Sequence, residues 1–568
     1  MPEYEPIRGD TSGVAEAGGK RSWDEIRDVV VVGLGAAGGG AAIEARSRGA
    51  DVLLVDRFSG GGATGRSAGV LYFGGGTRLQ RDFGVHDTPE NMYDYLALET
   101  DGVVSDATLR AFCETSVATF DWLCSLGVPF PRGGCVSKVS YPPNDCTLYY
   151  SGNELCPPYS EHATPAPRGH RPLGNGLTGH LISAGLQRGA LQAGVELRAY
   201  TRAERLVVDR DGDVLGVVLR ELAPGRIRTA VNQILQQLVH YGGGINTVAS
   251  EVFQAALRKL ERRATRLYVR ARGGVVLCTG GFVFNRQLMT THARAYSCCS
   301  MRLGTAGDDG AGIQMGHAVG GALGHMHKCS APRFVDPPRA WLSGVLVGRD
   351  GRRICNETYY GGKVGEQMVE HHHGHGTLVL DARAMKRGRR EIGSENPQLF
   401  QRIFALLNAY VTARSAPTLR ALAAKMGIDA DGLERTITAY NEGARHGRDA
   451  LGKDPSYVAE LDQAPYYAIP LDYDTFLFPT PCITLGGLRT EGLTAQVLRE
   501  DGSVVEGLYA AGRTAVGVSS NGYVSGLSVS DGLFTGRNAG AHAAARCCPI
   551  RIFTTRSPFD PKVEEHAS

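Results

Sequence analysis

The stretch from Asp28 to Arg57 constrains the fold more than any other part of the chain: DVVVVGLGAAGGGAAIEARSRGADVLLVDR. A β-branched apolar run leads into the turn Gly33-Leu34-Gly35-Ala36-Ala37-Gly38, an alanine-rich segment follows, and a second apolar run ends at Asp56. This order is typical of the β-α-β unit of a Rossmann-like domain. Its three glycines allow a tight turn, close approach of a diphosphate and close packing of the helix. The sequence therefore predicts a dinucleotide site with the diphosphate at the helix N-terminus and a ribose at Asp56, a pattern common to FAD and NAD.

Composition adds few limits. The 568 residues carry 61 Lys and Arg against 58 Asp and Glu, a net charge of +3 that gives no reason to expect nucleic acid as a partner. The 13 cysteines include no CxxC pair, which favours a reducing compartment. The sequence has neither 18 consecutive apolar residues nor a signal-peptide core, so we expect a cytoplasmic protein with a flexible N-terminal tail over residues 1–22.

Four further motifs narrow the choice of cofactor. They are ATGRSAG at 63–69, CTGGF at 278–282, NETYYGG at 356–362, and GLYAAGR at 507–513 followed by NGY at 521–523. In this combination the chain resembles the FAD-dependent fumarate reductase and succinate dehydrogenase flavoprotein family, a group that includes the 3-ketosteroid dehydrogenases. The resemblance is closest to the dehydrogenases of the Δ4-(5α) type and covers residues 28–545.

The resemblance implies an α/β fold in which a discontinuous Rossmann-like FAD-binding domain carries an inserted α+β capping or catalytic domain. The FAD domain would comprise 23–296 and 471–546, the inserted domain 297–470, and residues 547–568 a C-terminal tail. No histidine anchor stands near Ser67, so the FAD is expected to be non-covalent. The residues implied to hold FAD are Gly33, Gly35, Ala36, Ala37, Gly38, Asp56, Arg57, Thr64, Gly65, Ser67, Ala68, Gly69, Thr279, Gly280, Gly281, Asp309, Gly512, Arg513 and Ser528.

One segment departs from the family pattern. Residues 195–221 predict two strands joined by an Asp-Gly turn, but where the family has a short connection, residues 225–264 show helical apolar spacing on both sides of Gly242-Gly243-Gly244. We interpret this as an inserted helical pair. Its apolar stripe is expected to pack on its own domain, with a homo-oligomer contact or a peripheral membrane contact as alternatives.

The residues at three positions indicate the substrate class. In the fumarate reductases these positions carry cations that bind a dicarboxylate; here the corresponding residues are Gly361, Ile483 and Val524. A dicarboxylate would lack charged partners in a desolvated site, so fumarate is an improbable substrate.

Phenols and a hydroxyl stand near those positions instead, as in the 3-ketosteroid dehydrogenases: Tyr359, Tyr360, Tyr523 and Ser525. By resemblance, Tyr523 transfers the proton with support from Ser525, and either Tyr359 or Tyr360 is the second phenol. The N–H of Gly526 would help to hold the ketone oxygen.

Other candidates have weaker support. His371 to His375 has no accompanying carboxylate or thiol cluster in the sequence, so we predict no metal site. Cys298-Cys299 is interpreted as incidental, and His170 and Arg171 are minor candidates for the substrate pocket.

Together with the resemblance, these residues predict an FAD-dependent dehydrogenase that oxidises, or reversibly reduces, a carbon–carbon bond beside a ketone on an apolar ring. The expected substrate is a 3-ketosteroid, with the hydride passed to the flavin and the proton to a tyrosine. The electron acceptor is not defined. The alternatives are a reductase of another enoate or enone, and a flavin electron-transfer protein.

Overall fold

A computed structural model describes residues 4–16, 19–223, 225–245, 247–394, 397–475 and 480–548. The strands are β1 Ile7–Asp10, β2 Gly13–Glu16, β3 Gly19–Arg21, β4 Glu25–Val32, β5 Val52–Val55, β6 Leu71–Tyr72, β7 Gly134–Lys138, β8 Cys146–Tyr150, β9 Gly169–His170, β10 Glu196–Arg198, β11 Thr201–Val208, β12 Val214–Glu221, β13 Thr265–Leu277, β14 Met301–Arg302, β15 Leu323–Gly324, β16 Cys329–Ser330, β17 Val345–Val347, β18 Thr377–Leu380, β19 Arg414–Ala416, β20 Tyr466–Pro470, β21 Pro481–Thr484, β22 Gly487–Leu488, β23 Gln496–Leu498 and β24 Val504–Ala510. The α-helices are α1 Ala36–Ser47, α2 Gly62–Arg66, α3 Arg78–Asp82, α4 Pro89–Thr100, α5 Asp106–Glu114, α6 Ser116–Ser125, α7 Tyr159–His162, α8 Gly179–Gln192, α9 Arg226–Ile245, α10 Thr247–Glu261, α11 Arg286–His292, α12 Ala311–Ala318, α13 Gly361–His372, α14 Ala382–Ser394, α15 Leu399–Leu407, α16 Leu419–Met426, α17 Ala430–Arg445 and α18 Leu527–Cys547.

The predicted β-α-β unit forms the centre of the largest sheet. Strands β10, β5, β4, β13 and β24 run parallel in that order, and β4 and β5 are buried, as their apolar runs predict. Helix α18 lies against α1 with its glycines at the contact, because a Cβ on Gly536 would come within 2.2 Å of the Ala37 carbonyl oxygen. This close packing brings the last glycine-rich motif next to the first, and the α/β fold is confirmed.

The N-terminal segment differs from its prediction. Strand β1 pairs in parallel with β11, and β2 and β3 continue from it as antiparallel neighbours. The prediction of a flexible tail over 1–22 is therefore wrong for the described part of that segment, because the backbone of β1 is hydrogen-bonded to the edge of the large sheet. Residues 549–568 of the predicted C-terminal tail lie outside the described residues, and Cys547 is the last residue of α18.

The predicted helical pair is present as α9 and α10, and the predicted hairpin before it as β11 and β12. Helix α9 continues through Gly242-Gly243-Gly244 to Ile245, so the glycines do not separate the two helices as the sequence suggested. The pair replaces a simple hairpin turn, since Glu221 of β12 is paired directly with Thr265 of β13. Its inner face is buried at Val239 and Leu257, while Ile227 and Ile234 on α9 are exposed, and its packing on its own domain stays a prediction.

A second layer contains the antiparallel sheet β17-β18-β20-β19 with α13 to α17 around it. The two layers are joined by a small sheet in which β21 pairs with both β14 and β16. A long cavity lies beside this junction.

Candidate active site

The cavity has a volume of about 670 Å³ and extends from the turn after β4 to helix α15. It has two parts. One is lined by the glycine-rich turns of the large sheet and the other by aromatic side chains from the second layer. Among the residues predicted to hold the cofactor, those that line it are Gly33, Gly35, Ala36, Ala37, Asp56, Arg57, Thr64, Ser67, Ala68, Thr279, Gly280, Asp309, Gly512, Arg513 and Ser528.

The first turn is shaped to accept a diphosphate. A Cβ on Gly33, whose φ is +103°, would lie 2.4 Å from the Cys278 carbonyl oxygen, whereas a Cβ on Gly35 would meet only the Thr64 hydroxyl at 3.5 Å. Gly35 thus presents bare backbone to the cavity at the start of α1, where the helix has no side-chain cap.

Asp56 lies at the end of β5 on the same wall. Its carboxylate accepts N–H bonds from Leu34 at 2.7 Å and Phe58 at 2.8 Å, and burial raises its pKa. A carboxylate fixed in this way keeps lone pairs for a ribose. The donor set therefore fits FAD.

The other predicted cofactor residues lie behind the wall. A Cβ on Gly38 would come within 1.7 Å of the Gly33 oxygen, one on Gly69 within 2.3 Å of the Thr178 hydroxyl, and one on Gly281 within 2.2 Å of the Thr484 hydroxyl. Gly65 packs against Ser183 in the same manner. These glycines shape the wall by close packing rather than by facing the cavity.

Arg57 connects this wall to the inserted helices. Its guanidinium lies 2.6 Å from the Glu261 carboxylate of α10 and 2.8 Å from Asp309. Both side chains of the Arg57–Glu261 pair are largely buried, and the two carboxylates raise the pKa of Arg57 despite its desolvation. The helical pair therefore braces the strand end that carries Asp56.

The structure separates the two adjacent tyrosines among the predicted catalytic residues. Tyr360, Tyr523, Ser525 and Gly526 line the cavity, but Tyr359 does not. The Tyr359 hydroxyl donates to the Pro157 carbonyl oxygen at 3.0 Å, on the other side of the chain from Tyr360. Of the two candidates that the sequence left open, the structure favours Tyr360.

Ser525 contacts a different phenol from the one predicted. Its hydroxyl accepts from Tyr149 at 3.4 Å, it lies close enough to Tyr360 to lower the pKa of that phenol, and no hydrogen bond joins it to Tyr523 in the part of the chain that the structure describes. The predicted support of Tyr523 by Ser525 is therefore not seen in this geometry. Tyr149 was missed because it stands in an unremarkable strand, β8, far from Ser525 in sequence.

The phenols differ in their electrostatic surroundings. Burial raises the pKa of Tyr523 to about 12, although the Arg513 guanidinium opposes the shift. Burial, and then the neighbouring Tyr523, raise the pKa of Tyr360 much further. Tyr523 is thus the easier of the two to ionise, and Tyr360 remains a hydrogen-bond donor.

Arg513 is the cation whose charge acts on Tyr523. One of its nitrogens is 2.6 Å from Asp308, and Nη1 is buried without a partner among the described residues. At the three positions without cations, Ile483 lines the cavity, Gly361 lies against the ring of Phe334, and Val524 is fully buried. Arg333 also lines the cavity, but its Nη2 is bound to the Asp472 carbonyl oxygen at 2.6 Å.

The substrate part of the cavity was not predicted residue by residue. Its apolar lining comes from separate segments: Tyr141, Phe334, Val335, Trp341, Leu378, Phe400, Phe404 and Leu471. Rings contact one another along it, with centroid distances of 5.8 Å for Phe334–Tyr360 and for Tyr141–Phe334. These positions share no motif. Apart from their apolar or aromatic side chains, nothing in the sequence marks them as residues of the substrate pocket.

The minor candidates have structural roles. His170 is fully buried, with Nε2 2.8 Å from the Thr77 hydroxyl, and Arg171 donates to carbonyl oxygens including that of Gly174. Neither lines the cavity, which corrects their assignment as pocket candidates.

His375 lies near Asp472 and Asp474, but exposed acidic groups near a histidine are common without a metal, and the absence of a metal site stays a prediction. All 13 cysteines, including Cys298 and Cys299, are free thiols.

No helix within the described ranges is long and apolar enough to cross a bilayer.

Comparison with known proteins agrees with this geometry. Residues 28–529 match the family model described as FAD binding domain. The chain is 35% identical to the 3-oxo-5-alpha-steroid 4-dehydrogenase of Comamonas testosteroni over 502 residues, which is 86% of this chain and 93% of the relative.

Solved structures show the same fold. The crystal structure of the 3-ketosteroid-delta4-(5alpha)-dehydrogenase from Rhodococcus jostii RHA1, in complex with 4-androstene-3,17-dione, has a TM-score of 0.78 and 32% identity and covers 95% of this chain and 99% of that one. The 3-ketosteroid delta1-dehydrogenase from Sterolibacterium denitrificans has a TM-score of 0.62 at 20% identity, with 92% and 100% covered, and shows the fold alone.

The glycine-rich wall, the shared sheet and these matches define an FAD-binding oxidoreductase. More particularly, the chain belongs to the flavoprotein family that contains the 3-oxosteroid dehydrogenases and, more distantly, the fumarate reductases.

Proposed function

We propose that the protein dehydrogenates a saturated carbon–carbon bond next to the ring ketone of a 3-ketosteroid. The observation that carries the proposal is that one continuous cavity is lined by the glycine-rich FAD wall, by Tyr360 and Tyr523, and by the aromatic side chains of the chamber. The dicarboxylate-binding cations of the fumarate reductases are replaced by Gly361, Ile483 and Val524, so the chamber suits an apolar ring system better than a dicarboxylate.

The phenols have separate roles in this proposal. Tyr360 stays protonated, because burial raises its pKa, and donates a hydrogen bond to the ketone. The N–H of Gly526, which lines the cavity at the start of α18 and has no backbone acceptor among the described residues, supplies a second donor. Polarisation of the ketone acidifies the carbon beside it.

Tyr523 then removes the proton from that carbon. Its phenolate is the more accessible of the two because the Arg513 guanidinium partly offsets the rise in pKa that burial causes, whereas burial and the neighbouring Tyr523 both raise the pKa of Tyr360. Bound FAD would supply the chemistry that the side chains lack, acceptance of the hydride from the next carbon. The aromatic walls exclude water from the developing charge.

We also propose that the chain has two domains. Residues 23–296 and 471–546 form the FAD domain, and residues 297–470 form the catalytic domain. The strands β4, β5, β13 and β24 support this division, since all belong to the FAD segments and to one sheet. The pairing of β21 with β14 and β16 ties the two domains at the cavity.

Anaerobic mixing of the FAD-loaded protein with saturated 3-ketosteroids tests the function. We expect the flavin absorbance band to bleach with one or more ketosteroids and to persist with succinate. Bleaching by succinate-like acids alone would indicate the enoate-type reductase. Persistence with every steroid, together with reduction by a small electron donor, would indicate the electron-transfer protein.

A further inference from the structure

The outward face of α15 is apolar. Leu399 is 74% exposed, Phe400 39%, Ile403 47% and Leu406 42%, and the turn that follows exposes Tyr410 and Val411. The four helical positions repeat at a spacing that places them on one side of the helix. We call these six residues the α15 patch. Single exposed apolar residues are ordinary, but a contiguous group marks a surface that contacts something apolar.

The α15 patch is continuous with the substrate chamber. The opposite face of α15 lines the cavity through Gln401, Phe404 and Ala405, while Phe400 both lines it and reaches solvent. From Phe400 the rings lead inward, since its centroid lies 5.2 Å from that of Tyr141.

Tyr141 in turn contacts Phe334, and Phe334 contacts Tyr360. A series of ring contacts therefore connects the patch with Tyr360 in the cavity wall.

Positive charge surrounds the α15 patch. Arg402 on α15 and Arg414 just beyond it are exposed, and Arg414 Nη1 donates to the Val411 carbonyl oxygen at 3.0 Å. Helix α14 packs beside the patch, where Arg389 lies over the Tyr410 ring at 4.8 Å, and it exposes Lys386. An apolar face with a basic margin matches the interface of a bilayer that contains anionic lipid.

We propose that the α15 patch docks on an anionic lipid surface and that the substrate enters the cavity from the membrane past Phe400. This inference rests on the proposed function for the identity of the substrate, but not for the docking itself. A second copy of the chain fits less well, because a protein seated on the patch would close the aromatic route.

The position differs from the one the sequence suggested. The exposed residues of α9, Ile227 at 80% and Ile234 at 58%, do not line the cavity. Although His240 of α9 lines the cavity, Ile227 and Ile234 do not, so a membrane contact through these two residues would leave the substrate without an apolar route from that face. The α9 face therefore provides a matched control.

Vesicle sedimentation of the FAD-loaded full chain tests the docking. Vesicles of phosphatidylcholine with about one-third phosphatidylserine are compared with phosphatidylcholine alone. We expect binding to the anionic vesicles that falls at least ~10-fold in L399E and I403E, with unchanged flavin absorbance and melting temperature, and stays within ~2-fold in I227E. Absence of binding by the wild type, or loss in I227E but not in I403E, overturns the proposal.

Delivery of the substrate separates docking from function. With a ketosteroid dissolved in the vesicles, I403E should turn over at least ~5-fold more slowly than the wild type, and with the same steroid carried by cyclodextrin the two should be equal. If no steroid is oxidised in either form, the proposed function fails while the sedimentation result still stands. If L399E instead converts an oligomer into a monomer in sedimentation velocity and no vesicle binding is seen, the patch is a subunit contact and the proposal is wrong.

Discussion

The wall that faces the dinucleotide and the wall that faces the substrate are built in different ways. The first is backbone: the turn at Gly33 to Gly38 and the start of α1 present N–H groups, and Asp56 is fixed by backbone donors. The second is side chain: Tyr141, Phe334 and Phe400 come from separate segments and meet only after folding. A short motif is therefore enough to mark the first wall, while the second has no local signature.

The most direct test of the difference between the two walls is a substitution of Tyr523, where the two walls meet. Tyr523→Phe should lower kcat about 10²- to 10⁴-fold, because it removes the proton acceptor and leaves the ring that packs in the cavity. Tyr359→Phe is the matched control and should stay within about 2-fold, since Tyr359 only donates to Pro157. Stopped-flow measurement of flavin reduction checks both; a Tyr523→Phe rate near that of the wild type would remove this residue from the mechanism.

The backbone wall should respond to a single added methyl group. Gly33→Ala places a Cβ 2.4 Å from the Cys278 oxygen at a φ of +103°, so we expect FAD affinity to fall by about 10²-fold or the protein to be isolated without cofactor. Gly49→Ala is the control, because Gly49 also has a positive φ of +89° but no neighbour within 4 Å. Fluorescence titration of FAD measures the difference, and equal affinities in the two variants would contradict the assignment of this turn.

The pH dependence of the rate tests whether a phenol accepts the proton. Since burial raises the pKa of Tyr523 to about 12, the phenolate is scarce at neutral pH and its fraction rises about tenfold per pH unit. Dehydrogenation should therefore accelerate with a slope near one in a logarithmic plot between about pH 6 and about pH 9. A plateau that begins near neutral pH would assign the proton to another group.

The smallest effect is expected at the Arg57–Glu261 ion pair, which connects the FAD wall to the inserted helices. Glu261→Gln leaves Arg57 with Asp309 alone, so we expect a loss of about 1–3 kcal/mol in unfolding free energy and a several-fold loss in FAD affinity. Glu434→Gln breaks an exposed pair with Arg420 and should cost about 0.5 kcal/mol or less. Thermal melts of the two variants measure the difference. Equal shifts in melting temperature would show that the buried pair stabilises the fold no more than the exposed pair does.

Sequence alone identified the β-α-β unit, the FAD family and, without ambiguity, three of the four predicted catalytic residues that line the cavity, Tyr523, Ser525 and Gly526. These lie in glycine-rich strings whose backbone function depends on neighbours in the chain, so residue order is sufficient. The same reasoning failed for residues 1–22, because strand pairing at a sheet edge depends on a distant partner, β11.

The tertiary structure alone decided the rest. It selected Tyr360 over Tyr359, because only the packed neighbours show which of the two adjacent side chains lines the cavity. It paired Ser525 with Tyr149 rather than with Tyr523, and it assembled the aromatic chamber. Contacts between residues hundreds of positions apart are set by how the layers pack, and no periodicity in the chain records them.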